Sequence, residues 1–344
     1  MLDALDALDA FGRVELGHTP TALESTPRLG ELLGVNLFVK RDDCTGLALG
    51  GNKVRQLEYY LGEAVQAHAD VVLITGAIQS NFVRAAAAAA RRLGMDIHIQ
   101  LEDRVPGADG PYYHSGNVLL DHLLGAHIHR YANGEDEAGA DQQLDTIADE
   151  LRQAGKRPYV VHLGIDAAPI GALGYVRAGF ELAQQFAQMK WTPDTVVVPS
   201  GSGLTHAGLL VGLRAAGVKA RVHGICVRRG ADAQLARIRQ RTREVANLVN
   251  YEGIKEGDVT VSDLTLAPGY GRLNPETLDM LRQAAHCEGL ILDPVYSAKT
   301  LAGLKALVTS GEILTGAQTL FVHTGGQPAL FGYQSALTEA LARD

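Results

Sequence analysis

Cysteine is scarce in this chain of 344 residues: only Cys44, Cys226 and Cys287 occur, odd in number and far apart. No disulfide framework or metal-ligand spacing runs through them, which points to a reducing, cytoplasmic compartment. Long apolar runs are also lacking, so no segment is expected to cross a membrane. Positive charge is in deficit, with 31 Lys and Arg against 39 Asp and Glu, a net charge of −8. That excludes the broad basic face a nucleic-acid binder needs. The twelve histidines are scattered. His127-Ile128-His129 reads as alternate positions of a strand with no second ligand cluster, so no metal site is expected. The opening residues, Met1 to Ala10, form a short Leu-Asp-Ala repeat without the basic start and apolar centre of a signal peptide. They read as a leading helix or a flexible arm.

What the chain does have is 46% hydrophobic and 20% charged residues, enough for a large core. Its length suggests two domains, or one core with an insert. Apolar runs predict strands over 37–40, 71–76, 97–101, 127–131, 159–163, 195–199, 222–227, 289–292 and 319–323. Helical spacing predicts helices over 53–67, 82–93, 116–124, 136–154, 170–189, 206–216, 231–250, 277–288 and 300–310. The alternation argues for an α/β fold of open, twisted parallel sheets. A smaller domain, 54–163, is expected to interrupt a larger one made of 1–53 and 164–344. A ligand then belongs between them, at the C-terminal ends of the strands.

Gly50-Gly51-Asn52-Lys53 combines a tight turn with a helix start. Lys53 reads either as a surface lysine or as an amine made nucleophilic by the helix end and by neighbouring cations in the charged turn Lys40-Arg41-Asp42-Asp43. Gly201-Ser202-Gly203-Leu204-Thr205 follows an apolar strand and opens a helix. Its backbone N–H groups form a phosphate cup, with hydroxyls from Ser202 and Thr205. The Gly-Lys-Ser/Thr ending of a nucleotide loop is absent. Gln79-Ser80-Asn81 reads either as ordinary N-capping by Ser80 or as a carboxylate cup, with Asn81 as a donor to a ring oxygen. Asp293-Pro294-Val295-Tyr296-Ser297 and Ala267-Pro268-Gly269-Tyr270-Gly271 each offer a tyrosine to a cleft or to the core. An amine-bearing lysine, a phosphate cup and a carboxylate cup together fit pyridoxal phosphate, which joins a lysine as a Schiff base.

These motifs, in this order, resemble the fold-type II pyridoxal-phosphate enzymes with a tryptophan synthase β-like fold. The likeness is to the group of D-cysteine desulfhydrase, L-cysteate sulfo-lyase and 1-aminocyclopropane-1-carboxylate deaminase. It runs over nearly the whole chain after the first dozen residues and adds Gly171-Ala172-Leu173-Gly174-Tyr175 and His323-Thr324-Gly325-Gly326. The resemblance implies that Lys53 holds the cofactor aldehyde and moves the substrate α-proton. Gly201, Ser202, Gly203, Leu204 and Thr205 would hold the phosphate, Asn81 the ring hydroxyl and Ser80 the substrate carboxylate. Tyr296 and Tyr270 would stand over the substrate, and Ser297 would face the pyridine nitrogen. A serine there, where the cyclopropane deaminases resemble a glutamate, favours β-elimination. The implied reaction takes D-cysteine to pyruvate, sulfide and ammonia in a cytoplasmic homodimer. L-cysteate sulfo-lyase is the alternative, and cyclopropane deamination or a non-catalytic amino-acid sensor rank below it. One departure stands out: Phe82 occupies a position where the family has histidine.

Overall fold

The computed structural model describes residues 2–342. Ten strands lie among them: β1 (Leu23–Ser25), β2 (Asn36–Lys40), β3 (Val71–Ala77), β4 (Asp96–Glu102), β5 (His127–Tyr131), β6 (Pro158–Val161), β7 (Thr195–Ser200), β8 (Arg221–Cys226), β9 (Val259–Ser262) and β10 (Gln318–Val322). They make two sheets, one of six strands in the order β1-β2-β10-β7-β8-β9 and one of four in the order β5-β4-β3-β6. Every pairing is parallel except that of β1 with β2. The four strands of the smaller sheet all fall between residues 71 and 161.

Parallel strands sandwiched by helices are buried on both faces, which explains their unbroken apolar runs. β3 and β7 are buried at every position. Each fully buried valine of Val196-Val197-Val198 contributes about 1.5–3 kcal/mol relative to exposure. The helix Leu204–Ala215 lies close enough to the helix Leu173–Met189 for backbones to touch. A Cβ on Gly212 would stand 2.3 Å from the carbonyl oxygen of Val176, and one on Gly208 would stand 2.2 Å from that of Ala172. Small residues at these two positions therefore set the placement of the helix that opens after the glycine loop 201–203.

Most predicted elements form, with ends shifted by a few residues. The exceptions are local. Residues 289–292 are irregular rather than a strand. The Ile291 carbonyl lies 3.0 Å from Nε2 of His323, just past β10, and both edges of β10 are already taken by β2 and β7. The short strands β1 and β9 were too brief to read from periodicity. The charged turn after β2 is not a surface turn: Lys40 and Asp42 are buried. Leu2–Asp6 is helical and continues as a 3-10 turn over Ala7–Ala10, so the leading segment is a helix. Among the described residues no helix is long and apolar enough to cross a membrane.

Candidate active site

One cleft opens where the strands end. Its walls come from the C-terminal ends of β3, β4, β7, β8 and β10 and from the start of the helix Lys53–Gln66. This is where open parallel sheets place ligands. Lys53 is the first residue of its helix. Gly50 and Gly51 before it adopt φ of 64° and 113°, a region open to glycine at no steric cost. The Asn52 N–H donates to the Thr324 carbonyl at 3.0 Å, which ties the turn to the end of β10. The Lys53 amine has only a long contact, 3.5 Å, to Gln56 Oε1. It stands 4.9 Å from the centroid of the Phe82 ring. Burial pulls its pKa down from 10.5 to about 8. The expected cause was neighbouring cations, but Lys40 pairs with Glu181, and Arg41 with Asp43 and Glu24, so their charges are spent elsewhere.

The glycine loop faces this lysine. Gly203 has φ 100° and caps the helix Leu204–Ala215. Thr205 Oγ1 accepts from Asn52 Nδ2 at 2.8 Å and from Gln56 Nε2 at 2.8 Å. With both lone pairs filled, its hydroxyl proton is left to donate elsewhere. The residues flanking Lys53 thus hold the lysine turn and the cup together. Gln234 donates to the Gly201 carbonyl at 3.0 Å, and Arg237 Nε donates to that of Ser202 at 2.9 Å, which turns the loop's N–H groups away from those side chains.

Ser80 is the N-cap of the helix Asn81–Arg92. Its Oγ accepts from the Val83 N–H at 3.2 Å as an N-cap, and it lines the cleft beside Asn81. Tyr270 and Tyr296 line the same cleft with their hydroxyls 2.8 Å apart. Lys53, Ser80, Asn81, Gly201, Ser202, Gly203, Thr205, Tyr270 and Tyr296 therefore share one cavity.

A family model described as "Pyridoxal-phosphate dependent enzyme" matches residues 14–325. The chain belongs to that family. It is 40% identical over 334 residues to a D-cysteine desulfhydrase of Klebsiella pneumoniae, covering 97% of this chain and 100% of the relative. A D-cysteine desulfhydrase of Serratia proteamaculans is 39% identical, with 95% and 97% covered. The crystal structure of an ACC deaminase homologue superposes with a TM-score of 0.86 at 35% identity over 98% of this chain and 99% of that one. Escherichia coli diaminopropionate ammonia lyase shares the fold, with a TM-score of 0.67 at 18% identity over 99% and 91%.

The donor set fits the family's cofactor. A phosphate monoester needs N–H groups at a helix start, and an aldehyde needs a neutral amine. Both face one space, and the backbone around it is cleared of side chains. A Cβ on Gly325 would stand 2.7 Å from the Gly51 Cα, and one on Gly326 would stand 2.8 Å from the Asp293 Cβ.

Two of the expected residues do not reach the cleft wall. Leu204 is buried in the core. Ser297 is fully buried, and its hydroxyl donates to Asp293 Oδ1 at 2.6 Å while accepting from the Asp293 N–H at 2.7 Å. Asp293 is the hub of that turn, accepting from the N–H groups of Val295, Tyr296 and Ser297. Sequence reasoning gave no role to the charged part of the wall. Arg104, Arg228, Arg229 and Arg237 line the cleft with Glu102 and Glu137. Glu102 pairs with Arg104 at 2.7 Å, and Glu137 with Arg228 at 2.7 Å. Arg104, Arg228 and Arg229 stand two or three residues past strand ends, a signal that by itself does not separate them from exposed arginines.

The strand pair His127 and His129 does have company. Asp96 and His98 on neighbouring β4 bring the candidate ligand atoms of Asp96, His98 and His127 within 4.8 Å of one another. The cluster satisfies itself: His98 bonds His129 at 3.0 Å, and Asp96 pairs with Arg91 at 3.0 Å and with His127 at 3.3 Å. It lies outside the cleft wall.

With its amine buried, Lys53 is expected to make cofactor uptake pH-dependent. A lysine whose pKa is lowered to about 8 is mostly protonated below that pH and mostly a free amine above it. The rate at which apoprotein recombines with pyridoxal phosphate should rise with pH and reach half its limit near 8. Stopped-flow absorbance measures it. A midpoint near 10.5 would show a solvated lysine.

Proposed function

We propose that the protein is a pyridoxal-phosphate-dependent carbon–sulfur lyase. It takes D-cysteine and water to pyruvate, ammonia and hydrogen sulfide. The observation that carries this is a desolvated lysine amine and a helix-start anion cup in one cleft, held together through Asn52, Gln56 and Thr205. The full-length likeness to D-cysteine desulfhydrases supports the choice of substrate.

The bound cofactor supplies an aldehyde for the substrate amine and a ring that withdraws electrons from Cα. Lys53 would hold the aldehyde end, Gly201 to Thr205 the phosphate, and Asn81 the ring oxygen. The rest falls to side chains of this chain. The substrate carboxylate lies at the N-terminus of the helix Asn81–Arg92, where the Ser80 hydroxyl and unpaired N–H groups favour an anion. Lys53 Nζ, free of strong partners and with a pKa near 8, accepts the proton from Cα. The paired hydroxyls of Tyr270 and Tyr296 stand in the same cleft and can donate a proton to the departing sulfur. Burial holds the Tyr296 phenol well above its ordinary pKa, so it stays protonated. Phe82 presents its ring to the amine at 4.9 Å, and burial of the amine keeps its pKa lowered.

The same reading extends to organisation. We place the domain boundary at 54 and 163, supported by the confinement of the smaller sheet to that stretch. A cytoplasmic homodimer follows from the family resemblance alone.

A substrate screen tests the function. Holoenzyme incubated with D-cysteine should release pyruvate and sulfide in equal amounts. L-cysteine, L-cysteate, β-chloroalanine and the cyclopropane amino acid serve as comparisons. Pyruvate and sulfite from L-cysteate, with D-cysteine inert, would overturn the substrate assignment.

A further inference from the structure

Asn81 can present either its amide oxygen or its amide nitrogen to the cleft, and the two faces have opposite chemistry. The choice is fixed by a chain of hydrogen bonds that starts at an obligate donor. Arg84 lies on the same helix as Asn81 and is fully buried. Burial lowers its guanidinium to about 10, so at neutral pH it is still charged and can only donate. Its Nε donates to Asn117 Oδ1 at 3.0 Å. Asn117 must therefore turn its Nδ2 the other way. That nitrogen donates to the Gln79 carbonyl at 3.1 Å and to Asn81 Oδ1 at 2.9 Å. The Asn117 backbone N–H donates to Gln79 Oε1 at 3.0 Å, which pins the residue from a second side.

With its oxygen taken, Asn81 keeps Nδ2 to give. Gly326 leaves room for it, since a Cβ there would stand 3.0 Å from that nitrogen. The other end of the Arg84 guanidinium donates to the carbonyls of Ala48 and Gly50, at 3.3 Å for Gly50. Gly50 lies three residues before Lys53. One buried cation thus grips both the lysine turn and, through Asn117, the Asn81 amide.

We propose that Arg84 and Asn117 are positioning residues of this site: they set Asn81 as a hydrogen-bond donor to the cofactor's ring oxygen and hold that donor in register with Lys53. The proposal rests on reading the cleft as a pyridoxal-phosphate site, and it does not depend on which amino acid is the substrate. Neither residue lines the cleft, and both act through another side chain.

The test is equilibrium titration of apoprotein with pyridoxal phosphate, followed by visible absorbance. Asn117→Asp keeps an oxygen facing Arg84 but sets a carboxylate oxygen against Asn81 Oδ1. The Asn81 amide then turns over and shows its oxygen to the cleft. Cofactor affinity should fall about 10- to 100-fold, the scale of one hydrogen bond to a charged group, and the absorbance maximum should shift. Asn81→Ala should lose a similar factor, and the double variant should lose little more than either single one. Asn117→Asp keeps the hydrogen bond from Arg84 Nε, now made to a carboxylate, and the thermal midpoint of the apoprotein reports whether it folds. Arg84→Lys is the second route: one ammonium cannot reach both Asn117 and Gly50, so it too should weaken cofactor binding. Wild-type affinity and spectrum in a folded Asn117→Asp protein, or fully additive losses in the double variant, would overturn the relay and leave the cofactor site standing. A wild-type protein that takes up no pyridoxal phosphate would overturn both.

Discussion

Lys53→Ala should abolish turnover and the yellow absorbance of the bound cofactor. The loss in kcat should be at least about 10³-fold, because the proposed mechanism has Lys53 both hold the aldehyde and move the α-proton. Alanine offers neither a nucleophile nor a base. The cup from Gly201 to Thr205 remains intact in this variant, so some affinity for the phosphate should persist. The expected pattern is therefore weak, colourless cofactor binding without pyruvate release, read by equilibrium dialysis and a coupled assay. The fold should survive, since Lys53 makes only one long side-chain hydrogen bond and otherwise packs beside Phe82. A yellow, active Lys53→Ala protein would remove the basis for the whole reading.

Asp42→Ala should be the most damaging change to stability near the site. Asp42 is fully buried and accepts from four side-chain donors: Arg55 Nε at 3.0 Å, Arg55 Nη2 at 2.9 Å, Thr21 Oγ1 at 2.7 Å and the Tyr175 hydroxyl at 2.6 Å. Removing it leaves a buried guanidinium short of its counter-charge and strips Lys40 of a neighbouring anion. Breaking such a pair from one side costs about 3–5 kcal/mol. Urea unfolding measures the loss, and a change under about 1 kcal/mol would show that Glu181 alone balances the cluster. The pH dependence has a definite sign. Burial opposes ionisation of Asp42, but the charges of Arg55 and Lys40 outweigh it and hold the carboxyl down at about 2. Its contribution is therefore complete above the ordinary value of 3.8 and is lost as pH falls through about 2. Arg55 sits two residues after Lys53 on the same helix, so the damage should reach Lys53 as well.

Several parts of the site could be read directly because local chemistry dictates them. A glycine pair before a helix, and glycines between a strand and a helix, need no tertiary information to mark backbone N–H groups turned outwards. The fully buried strands announced themselves as apolar runs, since both faces of a parallel sheet are covered. Phe82 stood out only against the family resemblance, which has histidine there, and the structure sets its ring 4.9 Å from the Lys53 amine. Other parts were illegible. Ser297 follows Tyr296 in sequence, yet its hydroxyl is consumed by Asp293. The cleft arginines look like any exposed arginines until Glu102 and Glu137 are seen to hold them.

The sequence alone determined the alternating α/β order, the lysine turn and the glycine loop at a helix start, because each is set by residues within about five positions of one another. Tertiary structure decided that Lys53 and Thr205, some 150 positions apart, share one cleft, and that burial rather than neighbouring charge lowers the lysine's pKa. It also decided which face Asn81 shows. Desolvation and amide orientation depend on what packs around a group from distant segments, and no local pattern records that.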